Sequence, residues 1–162
     1  MELNPQTANP YASFLGEKDP FRVIATTPHT LAAIVGRTDD VRLGRSPAPG
    51  KWSIREILCH LADTDLVFGF RLRQTVAESA HVIQPFDQSA WAAPYDTLTA
   101  SDALAAFSAV RRWNLLFIDA VLPAALTKTV THPERGTMTF ATIIDTMAGH
   151  DLNHILQIQA LA

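Results

Sequence analysis

The final stretch, "FATIIDTMAGHDLNHILQIQALA", constrains the fold more than any other part of the chain. Ile143, Met147, His150, His154, Ile158 and Leu161 recur at helical spacing, so one face of a helix is apolar except for two imidazoles. A face of that kind has to be buried against other elements. A buried imidazole costs free energy unless its nitrogens find partners. The fold must therefore supply both a core and a partner for His150 and His154, which are surface neighbours at i and i+4. Two readings meet that demand: a hydrogen-bonded pair of core or rim histidines, or a pair that holds a metal ion.

Three further blocks have helical periodicity. Ser53 opens "SIREILCHLADTDLVFGFRLRQTVAES" as N-cap with Glu56 three residues on, a capping box, and Ile57, Leu61, Phe68 and Leu72 make its apolar stripe. Upstream, a short helix is expected near Pro20 to Ala25. A second is expected to start at Thr27 as N-cap, with Pro28 in the first helical position and Gly36 as the stop. Downstream, Ser101 is expected to cap a helix that Pro123 ends. Between the second and third blocks lies "HVIQPFDQSAWAAPYDTLTA", a long loop whose Phe86, Trp91 and Tyr95 suggest that it packs down onto the domain. The segment "TKTVTHPERGTMTF" is expected to be extended or a small hairpin turning at Glu134, Arg135 and Gly136, after which Thr139 caps the last helix. The pattern predicts an all-α four-helix bundle with a long loop between helices two and three.

With 162 residues and 48% hydrophobic content, the chain reads as one domain, 1–162, whose residues 1–18 form an N-terminal extension. A net charge of −3 leaves no basic footprint, which argues against nucleic acid and anionic membrane surfaces and for a small-molecule substrate. One cysteine, Cys59, permits no internal disulfide. The first residues lack a secretory pattern, and no apolar run approaches the roughly 20 residues of a membrane span, so a cytoplasmic location is expected.

His60 shares a face with Thr64, Val67 and Arg71 at the border of the second helix's stripe, so it too can look inward. Three histidines plus water form an open coordination set, and bundles build such sites from facing helices. Cys59 is about 100° of helix rotation from His60 and reads as a buried apolar residue. Asp63 and Asp151 are either groups that hydrogen-bond the free ring nitrogens or solvated carboxylates, and Glu56 is committed to capping. His29, His81 and His132 read as structural or exposed. Arg71 is placed to meet a substrate carboxylate or to be solvated or ion-paired; Gln157 either points near the site or lines the bundle.

The stretch "PGKWSIREILCHLADTDLVFGFRLR", followed far downstream by "AGHDLNHILQIQAL", resembles the DinB-like superfamily, which includes the YfiT-type candidate metal-dependent hydrolases. The likeness runs from about Pro20 to Leu161. It implies an up-and-down bundle whose metal, zinc or nickel in many members, is bound by one histidine of the second helix and two of the last. Carried onto this chain, those positions are His60, His150 and His154. The resemblance further implies a thiol-dependent S-transferase using a low-molecular-weight thiol as co-substrate. Metal-dependent hydrolysis of a small amide or ester and a non-catalytic metal- or ligand-binding bundle are the alternatives. Relatives often pair, so a homodimer is also expected.

Overall fold

The computed structural model describes residues 9–162. After a short helix α1 (Ala12–Leu15) come α2 (Pro20–Val35), the one-turn α3 (Asp40–Leu43), the long α4 (Ile54–Ala77) and the one-turn α5 (Gln88–Trp91). Then follow α6 (Ala100–Val121), an antiparallel hairpin of β1 (Thr129–His132) with β2 (Gly136–Thr139), and α7 (Phe140–Leu161). The four long helices are the bundle. Among the described residues, no helix is long and apolar enough to cross a membrane.

Local chemistry sets the helix ends. Ser53 and Glu56 form the expected capping box at the start of α4, and Thr139 with Thr142 does the same for α7. The start of α6 is capped by Thr99 rather than Ser101; the Thr99 hydroxyl accepts from the Asp102 N–H. The expected break at Thr27 does not occur, and α2 runs straight through Pro28 from an Asp19 cap. Proline has no N–H for the carbonyl four residues back, here that of Ile24. That carbonyl accepts instead from the Arg111 guanidinium of α6 at 2.9 Å, so a partner from another helix replaces the missing bond. The Thr27 hydroxyl donates back to the Val23 carbonyl and caps nothing.

The path of the bundle follows from which residues meet. α2 packs on α6 and α7, and α4 packs on the same two, so α2 and α4 lie across the diagonal. On α4 and α6, Asp65 meets Arg111, Gly69 meets Asn114, and Arg73 lies over Phe117, a register in which both helices run the same way. The alternation of an up-and-down bundle is kept at the first and third connections, and the long loop between α4 and α6 is a crossover. It must travel back along a helix about 36 Å long, well within the reach of an extended chain at ~3.3 Å per residue. It starts by pairing with the hairpin, where Ile83 donates to the Thr131 carbonyl and Thr131 to that of His81.

Two apolar clusters fill the interior. One end holds Ile24, Phe68, Leu72, Ile118, Phe140, Ile144 and Met147. The other holds Leu31, Ile54, Leu58, Leu61, Phe107 and Ile158. On α4, α6 and α7 the interior also holds a polar layer that contains His60, Asp65, Arg111, Asn114, His150, Asp151 and His154, all buried. Residues 11–15 also belong to the packed structure: α1 lies on α7, and the Tyr11 carbonyl sits where a Cβ on Gly149 would come within 2.5 Å. Only glycine fits at that crossing.

Candidate functional site

Helices α4 and α7 run antiparallel, which brings His60 opposite His150 and His154. The His60 and His150 Nε2 atoms are 3.0 Å apart, and one ligating nitrogen from each of the three rings lies within 4.8 Å of the others. All three side chains are buried. The structure thus gathers the three histidines singled out in the sequence, and among the described residues they are the only histidine, cysteine or carboxylate group of three or more so gathered.

Burial favours the neutral ring. It lowers the His60 pKa to about 3, with the neighbouring His154 adding to the effect, and it holds His150 well below the ordinary value. His154 is lowered by burial too, against opposing contributions from Gln157 and Asp151. Neutral imidazoles are the protonation state that a metal requires.

Hydrogen bonding leaves this cluster incomplete. Of the His60 and His150 Nε2 atoms, at most one can donate to the other, and the buried Nδ1 of His60 has no partner among the described residues. A cation between the rings would use both Nε2 lone pairs. An ion with M–N distances of about 2.0–2.1 Å places neighbouring ligand nitrogens roughly 2.9–3.4 Å apart, which suits the 3.0 Å pair. The residues therefore fit a divalent metal. His154 Nδ1 meets the Gln157 Oε1 at 2.9 Å, the kind of outer contact that fixes a ligating ring. At His60 that outer acceptor is lacking, and the Trp52 ring lies against the imidazole instead, with centroids 4.9 Å apart. Tyr11 and Phe68 pack edge-on against His150.

Access is from the His154 side. A cavity of about 580 Å³ is bordered by Lys51, Trp52, Ile57, Gln88, His154 and Gln157.

The other sequence candidates fall elsewhere. Asp63 accepts from the Tyr95 hydroxyl at 2.7 Å, and Asp151 is buried and bound to Arg111, so neither supports an imidazole. Reading Asp151 as a solvated carboxylate is corrected by the same bond. Cys59 is buried and unpaired, Glu56 caps α4, His29 is exposed, and His132 is buried and accepts from the Glu134 N–H. Arg71 lines a different cavity, described below.

Sequence reasoning missed the ion cluster one residue from His150. Arg111 donates through Nε to Asp65 at 2.9 Å and through Nη1 and Nη2 to Asp151 at 2.6 and 3.1 Å, while Asn114 donates to the Asp65 carboxylate at 3.2 Å. Burial works against the Arg111 charge, yet the two carboxylates overcome it and hold the guanidinium pKa above its ordinary value. A signal was available: Arg111 falls on the stripe of Ala103, Phe107 and Ile118, and Asp65 on that of Leu61, Phe68 and Leu72. Two opposite charges on two inward faces call for each other.

A family model described as the DinB superfamily matches residues 24–158. A protein of Oceanobacillus iheyensis, named as a candidate metal-dependent hydrolase, is 31% identical over 140 residues, which cover 85% of this chain and 81% of that protein. A similarly named protein of Bacillus mycoides is 29% identical over 141 residues, 85% of this chain and 80% of its own. Among solved structures, YfiT from Bacillus subtilis, described as "a probable metal-dependent hydrolase with an unusual four-helix bundle topology", matches with a TM-score of 0.80. The identity is 22%, over 88% of this chain and 83% of that one. That likeness carries the fold.

Proposed function

The chain belongs to the DinB superfamily, and on that premise we propose that it is a metal-dependent enzyme whose divalent ion, zinc or nickel, is held by His60, His150 and His154. We further propose that it transfers a low-molecular-weight thiol to a small electrophile. The observation that carries this reading is the convergence of three buried, neutral imidazoles with no fourth ligating side chain among the described residues. Three protein ligands with an open position are the pattern of catalytic zinc, whereas structural zinc is closed by four. A divalent ion there would supply a Lewis acid whose open position lowers the pKa of a thiol or of water.

The chain's own residues account for the rest. Gln157 orients His154, and Trp52 covers His60 and keeps water from that ring. The cavity beside His154 admits a small molecule past Lys51 and Gln88. Nearby carboxylates are all engaged: Glu56 in the cap, Asp63 with Tyr95, Asp151 with Arg111. Among the described residues no separate general base stands free beside the imidazoles, so a nucleophile that ionises close to neutrality suits the site best. A thiol, with an ordinary pKa of about 8.5, needs a far smaller shift than water at about 15.7.

Hydrolysis of a small amide or ester is the second reading, favoured by the names of the relatives. A panel of alkylating agents, epoxides and activated esters assayed with and without added thiols separates the two. Turnover that requires thiol and disappears in His154→Ala is the expected result. Turnover without thiol would establish hydrolysis in its place.

A further inference from the structure

A second cavity, of about 510 Å³, lies between α4 and the crossover, and none of the three imidazoles lines it. Its walls include Leu66, Phe70, Phe86 and Trp91 together with Arg71 and His81. Leu66, Phe70 and Trp91 are exposed, although each is a large apolar side chain. Phe86 and Trp91 lean on one another with ring centroids 5.0 Å apart, and Phe70 packs edge-on against His81. An apolar wall of this size left facing a cavity of ligand dimensions, roughly 300–1,000 Å³, marks a binding site more often than a packing defect.

The polar atoms in that wall are unspent. Arg71 Nε and His81 Nε2 are both buried and have no hydrogen-bond partner among the described residues. Arg71 makes no ion pair among the described residues. Burial, and then the charge of Arg135, lower its pKa to about 10, which leaves it cationic at neutral pH. The two carboxylates at this site are committed elsewhere. Glu78 accepts from His81 Nδ1–H at 2.9 Å and from the Gln74 amide at 2.6 Å. Asp87 accepts the Ser89 and Ala90 N–H groups at the start of α5, each at 3.0 Å. Glu78 thus fixes the His81 ring at the cavity wall with its proton on Nδ1, which leaves Arg71 as the donor to an anion there.

A buried, unpaired guanidinium N–H costs free energy that an anionic oxygen would recover, and a planar carboxylate matches the guanidinium fork. We propose that this cavity binds a small carboxylate with a flat apolar body. Its carboxylate sits on Arg71, and its body lies against Phe86 and Trp91. The site stands independently of any metal at the imidazoles.

The test is an NMR titration of the Trp91 indole N–H in the full chain, with phenylacetate as probe and neutral phenylacetamide as its control. Phenylacetate is expected to give saturable shifts below about 10 mM and to bind about tenfold more tightly than the amide. Arg71→Gln should remove that preference and leave the amide's affinity unchanged, while Trp91→Ala, followed at His81, should weaken both. His154→Ala should bind phenylacetate like the parent chain. Equal affinity for acid and amide, no saturation, or an Arg71→Gln variant with unaltered phenylacetate affinity would overturn the assignment. So would loss of binding in His154→Ala, which would place the acid on the imidazoles.

Discussion

His150 and Asp151 are consecutive residues of α7, both buried in the same polar layer, yet they enter two clusters of opposite character. Asp151 joins Arg111, Asp65 and Asn114, where the guanidinium donates to both carboxylates and to the Ile24 carbonyl. His150 joins His60 and His154, where one short nitrogen pair has at most one proton to share and the His60 Nδ1 has no partner among the described residues. The first cluster is satisfied by the chain itself. The second is not, although it lies equally deep. A fold can bury polar groups either to fix its own helices or to hold something that is not part of the chain, and the hydrogen-bond inventory separates the two uses.

The largest effect should come from unbalancing the satisfied cluster. Arg111→Met leaves two buried carboxylates facing each other and the Ile24 carbonyl without a donor, so it should cost about 3–5 kcal/mol in denaturant unfolding. A loss under about 1 kcal/mol would mean that the carboxylates are solvated or protonated at little cost, and the contrast between the clusters would weaken.

A pH-dependent effect, smaller for each ring taken alone, should come from the imidazoles. Burial holds the His60 pKa at about 3, against 6.5 for the ordinary ring, and lowers His150 and His154 as well. Between those values the unfolded chain binds more protons than the folded one. The metal-free protein should therefore have its full stability above pH 6.5 and lose it as pH falls, at roughly 1.4 kcal/mol per pH unit for each ring that the unfolded state protonates. Chemical denaturation of chelator-treated protein from pH 8 to pH 5 follows this. A flat profile would show that the rings are solvated in the folded state.

Much of this was legible beforehand because it rests on local periodicity. The capping box at Ser53 fixed the phase of α4, and the phase put His60 on an inward face. The i, i+4 spacing of His150 and His154 did the same for α7. What was not legible depends on partners distant in the chain. Pro28 reads as a helix start until Arg111, 87 residues from Ile24, is seen to accept the role of the missing N–H. Asp151 reads as a surface carboxylate until α6 supplies the same arginine. The crossover was visible as a long loop, but its length permits either direction for the next helix, and the register of Asp65 with Arg111, Gly69 with Asn114 and Arg73 with Phe117 settles that α4 and α6 run parallel.

The central claim is that the unsatisfied cluster is a metal site. Elemental analysis of untagged protein, alongside His154→Ala, tests it most directly. About one divalent transition-metal ion per chain, lost in a variant that stays folded, is the predicted result. Parent protein that holds no metal and takes up neither added zinc nor added nickel would contradict it and return the three histidines to a purely structural role.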